Sequence, residues 1–353
     1  VGLHKIDEIL QLRQAIKVKS ASANLKLLVD NVVQAEALQQ KIKMDPISVF
    51  IKIDGGYNRA GLHVDSPLLP ELIKTINRCD QIVLHGVYTH AGLSYKSTNA
   101  SMTESHLKGE LQCVDDAAQV VLKILKEEKN TQRHRSPLIL SVGSTPTAHA
   151  FTNGGDFSSI RKALHGELEL HPGNYAFLDL QQVSTGAVPY SDGVAPIDRC
   201  AMTVLTTVIS VYPGRASSGI AHQQSSLEAS PSDEALCDAG GIALSKDTGQ
   251  FSGHGHVIWP RQYVGWEVGR IAQEHGVLTM RQGNQSQWSK EWGKSLDNTT
   301  SLVKVGDNLH IVPQHACMVA AAHPWFFIYD SLSAESSSSL PLVDDVWIPW
   351  KGW

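Results

Sequence analysis

The chain has 353 residues, 42% of them hydrophobic, and a net charge of −5. That length suits two packed domains rather than one small core, and weak acidity without a dominant basic patch argues against a nucleic-acid partner. No apolar run approaches the ~20 residues a membrane span needs, and the start, Val1-Gly2-Leu3-His4-Lys5-Ile6, lacks the apolar core of a signal peptide. The five cysteines (Cys79, Cys113, Cys200, Cys237, Cys317) are odd in number and scattered. They predict a reducing, cytoplasmic setting rather than a disulfide framework.

In chain order, residues 1–190 alternate β-rich runs with helical stretches, which predicts parallel βα units. Strands are expected at 25–29, 49–53, 82–88, 138–142 and 168–170. Helices are expected at 5–16, 70–77 and 105–126, the last carrying apolar residues at Leu111, Val114, Ala118, Val121, Leu122 and Leu125 in helical period. Several strands run into glycine-rich or polar text, where a parallel barrel builds its site. A (β/α)8 barrel of the TIM type is therefore expected. Five strands are fewer than the eight such a barrel closes with, and a full one takes about 250 residues, so the barrel is expected to be incomplete at its N-terminus. From 191 to 353 the text turns β-rich, with strands expected at 201–212, 234–238, 302–305, 309–312 and 325–329. Serine-rich polar stretches at 215–233, 284–301 and 333–339 read as surface loops.

Several constellations carry chemistry. In Ile51-Lys52-Ile53-Asp54-Gly55-Gly56-Tyr57-Asn58-Arg59, the alternating Lys52 and Asp54 read either as an internal ion pair or as the approach to a site with Arg59 at its rim. Tyr88, His90 and Tyr95 follow the third strand, as core aromatics or as rings beside a bound one. Gly143-Ser144-Thr145 and His171-Pro172-Gly173-Asn174 are turns that can cradle phosphate through bare N–H groups and hydroxyls, or serve as ordinary loops. On a strand, His315 and Cys317 would share a face, offering nitrogen and sulfur to an open Zn²⁺ site; a core strand with a buried cysteine is the alternative. His254 and His256 share that spacing but read as loop, and His275 reads as a neighbour of the site.

Together these segments resemble the eukaryotic D-serine dehydratase family, within the alanine-racemase-like, fold-type III pyridoxal-phosphate enzymes. The carriers are I-K-I-D-G-G-Y-N-R-A-G at 51–61, G-V-Y-T-H-A-G at 86–92, V-G-S-T-P-T at 142–147 and E-L-H-P-G-N-Y at 169–175. D-L-Q-Q at 179–182, Q-E-H-G at 273–276, P-Q-H-A-C at 313–317, A-A-H-P at 321–324 and G-W at 352–353 complete them. The resemblance implies a barrel followed by a β domain, as a head-to-tail homodimer. It implies pyridoxal 5′-phosphate beside Arg59, Tyr88 and Tyr95, with phosphate at Gly143, Ser144, Thr145, His171, Gly173 and Asn174, and zinc on His315 and Cys317. It implies a lyase that turns D-serine into pyruvate and ammonia. The related D-threonine aldolases tend to carry aspartate at the position of Cys317, which favours the dehydratase. The family's Schiff-base lysine belongs to a motif near R-P-H-x-K-T-H on the first barrel strand, and no such run occurs among these residues. The lysine and three strands are expected upstream; an aldolase-type lyase and an inert truncated homologue are the alternatives.

Overall fold

The structure is a computed structural model that describes residues 1–43, 45–90, 92–128, 134–152, 158–189, 193–223, 227–281, 300–330 and 342–350. The chain forms two compact units, Val1–Gly173 and Asn174–Trp353. The stretch 333–339, most of 284–301 and the terminal Gly352-Trp353 lie outside the described residues.

In the first unit, α1 (Ile6–Lys19), β1 (Lys26–Val29), α2 (Val32–Lys41), β2 (Ile47–Lys52), α3 (Leu68–Arg78), β3 (Ile82–Tyr88), α4 (Ala100–Glu127), β4 (His134–Val142), α5 (Thr145–Thr152), α6 (Ser158–Ala163) and β5 (Glu167–Leu170) follow one another. The five strands pair in parallel in the order β1-β2-β3-β4-β5. This is the expected βα succession. Every residue of β2 is buried, as expected for a strand covered on both faces. On α3 the buried Leu69, Leu72, Ile73 and Ile76 form one stripe at helical period, each worth about 1.5–3 kcal/mol of apolar burial. Asn99 starts α4 by accepting the Met102 N–H at 2.9 Å. Gly86 marks the closest approach of β3 to β4: a Cβ there would sit 1.9 Å from the Ile139 carbonyl oxygen.

The second unit holds α7 (Leu180–Ser184), β6 (Val204–Tyr212), α8 (Arg215–Ser218), β7 (Glu234–Cys237), α9 (Gly241–Leu244), β8 (Gly255–Trp259), β9 (Trp266–Ile271), β10 (Gly276–Met280), β11 (Asn308–Pro313), α10 (Ala316–Ala322), β12 (Phe326–Ile328) and β13 (Asp345–Trp347). Strands β10-β7-β6-β11-β8-β9 close into an antiparallel barrel, and β12 pairs with β13. Trp266, Val268, Val257, Leu278, Leu309 and Ile311 are buried in its core. The β-rich expectation holds, with three corrections. Residues 302–305 form no strand; Leu302 and Val303 pack into the core from a loop. Strands β8, β9 and β10 lie where no strand was expected. His256, read as loop, is a fully buried residue of β8. Among the described residues no helix is long and apolar enough to cross a membrane.

Candidate active site

In the first unit the candidate residues gather at the C-terminal ends of the parallel strands. Gly143 follows β4 at φ +130°, backbone that L side chains rarely adopt, and a Cβ there would lie 3.3 Å from the His171 nitrogen. Glycine thus lets the β4 exit lie against the β5 exit. The next residue, Ser144, is buried; its hydroxyl meets Ser94 Oγ at 2.7 Å and Thr147 Oγ1 at 3.0 Å, and Thr147 Oγ1 accepts the Ser144 N–H at 2.9 Å. The Ser144 and Thr145 side chains therefore brace the turn from inside rather than standing open. Gly173 is exposed, and a Cβ there would meet nothing within 4 Å.

Two rings floor this end of the sheet. Tyr88, ending β3, stacks on His171 with centroids 4.0 Å apart and planes 11° off parallel. Ser141 Oγ donates to Glu169 Oε1 at 2.8 Å and lies 3.0 Å from His171 Nδ1. A serine hydroxyl has a single proton. With that proton on the carboxylate, the serine oxygen accepts Nδ1–H, and Nε2 is left as a bare acceptor. No strict hydrogen bond reaches Nε2 among the described residues, while the Gly143 and Thr89 carbonyls lie near the ring and favour its protonated form. Burial, then the nearby charges of His90 and Lys52, push the His171 pKa down to about 4. His90 donates from Nδ1 to the Gly143 carbonyl at 3.0 Å, and its ring lies 6.3 Å from that of Tyr95.

The cations sit around this floor. The Lys52 ammonium lies 4.8 Å from the Tyr88 ring centroid, and burial, followed by the Arg59 charge, brings its pKa down to about 8. Arg59 is exposed, with its guanidinium 5.4 Å from the Tyr57 ring. The Lys52–Asp54 ion pair is not formed. Asp54 Oδ1 instead accepts the Gly56 and Asn58 N–H groups at 3.0 and 3.1 Å, tying down the glycine turn, while Lys52 Nζ reaches the Ile53 carbonyl at 3.3 Å.

His171 supplies a pH test. The unfolded ring protonates near 6.5 and the folded ring near 4. Between those values the unfolded chain binds more protons, so this contribution to stability is present above pH 6.5 and is lost as pH falls toward 4. The ring protons of His171 are expected to show no NMR titration step between pH 7 and 5, and His171→Phe to flatten the acid slope of unfolding. A midpoint near 6.5 for the folded ring contradicts this reading.

In the second unit the pair His315 and Cys317 is not on a strand. β11 ends at Pro313, His315 is the residue before α10, and Cys317 is the second residue of that helix. The expectation of a shared strand face is therefore corrected, because an alanine-rich run takes over directly after the strand. The two side chains still lie close enough for the Cys317 sulfur to raise the basicity of the His315 ring. The other partner was not foreseen. Asp247 Oδ2 lies 2.5 Å from His315 Nδ1. The Cys317 contact first, then Asp247, raises the His315 pKa to about 9, so this spot favours positive charge.

The backbone beneath the pair is pinned at three points. Gln314, fully buried, donates from Nε2 to the Phe251 and Gly253 carbonyls at 2.9 and 2.8 Å. Its carbonyl accepts the Gln181 N–H at 3.1 Å. The Ala316 N–H donates to Asp179 Oδ2 at 2.8 Å, and the same oxygen accepts Asn174 Nδ2 at 2.5 Å. Asn174 is therefore buried against Asp179, its amide engaged in holding the segment together. Burial raises the Asp179 pKa, and the backbone donors hold it down. His275 follows the loop from β9 and takes no part in these contacts.

The model of the "Putative serine dehydratase domain" matches residues 201–329, and that of the "Alanine racemase, N-terminal domain" matches residues 1–157. The D-serine dehydratase of Schizosaccharomyces pombe is 32% identical, over 99% of this chain and 74% of its own length. The solved structure of D-threo-3-hydroxyaspartate dehydratase from Delftia sp. HT23 matches 100% of this chain and 78% of its own, with TM-score 0.67 and 26% identity. A C-to-A mutant of a D-threo-3-hydroxyaspartate dehydratase in the metal-free form matches over the same shares, with TM-score 0.67 and 25% identity. These likenesses support an alanine-racemase-type barrel domain followed by a C-terminal domain.

Proposed function

This chain belongs to the D-serine dehydratase family, and from that premise we propose that it is a D-serine ammonia-lyase using pyridoxal 5′-phosphate and zinc. The observation that carries the reading is the meeting of His315 with Cys317, beside Asp247, on a backbone held at three points. Imidazole nitrogen and sulfur side by side are a zinc donor set, and two protein donors leave positions open for water or substrate. The raised basicity of His315 supports the fit, since a metal ion would replace a proton there.

The first unit fits the other cofactor. The turn at Gly173 is exposed and a Cβ there would meet nothing within 4 Å, which leaves room for a phosphate against its backbone, whereas at the Gly143 turn the Ser144 N–H is already taken by Thr147 Oγ1. The stacked Tyr88 and His171 give a flat aromatic floor at the ends of the parallel strands. Lys52, over the Tyr88 ring, and Arg59 would supply positive charge toward an anionic cofactor.

When bound, pyridoxal phosphate supplies an electron sink for the charge left on the substrate's α-carbon, and zinc supplies a Lewis acid for the β-hydroxyl. The remaining work falls to this chain's own residues. Tyr88 and His171 would lie against the ring, and His171, neutral at pH 7, would add no charge there. His315 and Cys317 would hold the metal ion. D-serine loses the α-hydrogen and the β-hydroxyl as water, and the resulting 2-aminoacrylate hydrolyses to pyruvate and ammonia. The test is product analysis with the full-length protein: equal amounts of pyruvate and ammonia from D-serine are expected, and glycine with an aldehyde from D-threonine would mark an aldolase instead.

A further inference from the structure

We propose that Asp247 is a positioning residue for the metal site: it takes Nδ1–H of His315 and so turns the opposite nitrogen, Nε2, toward the ion. The inference rests on the reading of His315 and Cys317 as zinc ligands and adds a residue that the spacing of the motif could not reveal, since Asp247 lies 68 positions earlier in the chain.

The geometry is specific. An imidazole has two nitrogens, and a metal takes one as a lone pair. The 2.5 Å contact of Asp247 Oδ2 with His315 Nδ1 commits that nitrogen to carrying a proton, which leaves Nε2 as the donor. Asp247 is itself placed by local structure. It follows α9, its N–H is held by Ser245 Oγ at 3.2 Å, and its carbonyl oxygen lies 3.3 Å from His254 Nδ1. Ser245 sits at φ +66°, an unusual conformation for a residue other than glycine, and it bends the chain two residues before Asp247.

Asp247 acts through His315 rather than as a third ligand. Among the described residues no three His, Cys, Asp or Glu side chains come together closely enough to hold an ion. A carboxylate behind a metal-bound histidine fixes the ring's tautomer and orientation and raises its basicity, and losing such a partner costs roughly 10–100-fold in metal affinity. A surface ion pair with no such role is worth little, and 40% exposure of the Asp247 side chain means that its removal leaves no cavity.

The experiment is a zinc titration of chelator-stripped full-length protein against a competing zinc indicator. Asp247→Ala is expected to weaken zinc roughly 10–100-fold while the metal-free protein melts as the parent does. Asp247→Asn, which keeps an oxygen acceptor for Nδ1–H, is expected to fall between the two. With Co²⁺ as a spectroscopic substitute, Asp247→Ala is expected to keep the thiolate-to-metal charge-transfer band, showing that Cys317 still binds. Zinc affinity equal to the parent's in Asp247→Ala overturns the inference and leaves the zinc reading intact. A parent that binds no zinc overturns the zinc reading itself. Loss of the charge-transfer band together with zinc would make Asp247 a builder of the whole site rather than an orienter of one ring, and would overturn the proposed role.

Discussion

Cys317→Ala is expected to remove zinc from the full-length protein and to lower D-serine turnover by roughly 10³-fold or more, the several kcal/mol a Lewis acid supplies to a leaving oxygen. Cofactor absorbance is expected to persist, because the turns proposed for the phosphate belong to the first unit. Cys317 is exposed at the start of α10, so its truncation opens no core cavity and the fold is expected to survive. A chelator should reproduce the effect in the parent, and added zinc should reverse it there but not in the variant. β-Chloro-D-alanine separates the chemistry from the fold. Chloride leaves without a Lewis acid, so its elimination is expected to drop by less than about tenfold. A purely structural role for Cys317 would depress both substrates alike. Metal analysis beside the two initial rates decides between them.

Gly173→Val is expected to be the second large effect, on cofactor affinity. Gly173 is exposed and its missing Cβ would touch nothing, so the substitution asks nothing of the fold. Branched methyl groups would fill the space over a turn whose N–H groups are proposed to meet phosphate. Two charge-assisted hydrogen bonds at about 1.5 kcal/mol or more each correspond to a loss of roughly 100-fold in affinity. Thermal unfolding is expected to stay within about 0.5 kcal/mol of the parent, as for other surface substitutions. Gly143 would be a poorer probe. At φ +130° any Cβ adds backbone strain of about 1–3 kcal/mol, so a weakened cofactor there would not distinguish a blocked phosphate from a distorted turn. Equilibrium titration of pyridoxal phosphate into Gly173→Val makes the measurement, and unchanged affinity would make the turn an ordinary loop.

The parallel half of the fold was legible because its signals are local. Strands covered on both faces read as unbroken apolar runs, as in Val49-Phe50-Ile51, and α4 shows its period over many turns. The antiparallel barrel was harder. β8 and β9 contain His256 and Glu267, both buried, and these polar residues break the alternation that marks a strand. They are tolerated because they meet each other: His256 Nε2 lies 3.3 Å from Glu267 Oε2, which accepts the Ser252 hydroxyl at 2.6 Å. At the metal motif the residue types were readable but their conformation was not. Pro313 and the run Ala316-Cys317-Met318-Val319-Ala320-Ala321-Ala322 carry the signal for a strand end and a helix, yet two-residue spacing alone suggested a strand. Asp247, Asp179 and Gln314 were invisible for a different reason. Their importance lies in long-range partners, and nothing near them in the chain announces those.

Initial-rate and product analysis of the full-length protein with D-serine, before and after zinc is stripped by a chelator and restored, tests the central claim most directly. The account predicts pyruvate and ammonia in equal amounts, abolished with the zinc and recovered when zinc returns. Pyruvate formation indifferent to zinc, or the absence of pyruvate from the zinc-loaded protein with pyridoxal phosphate bound, would contradict it.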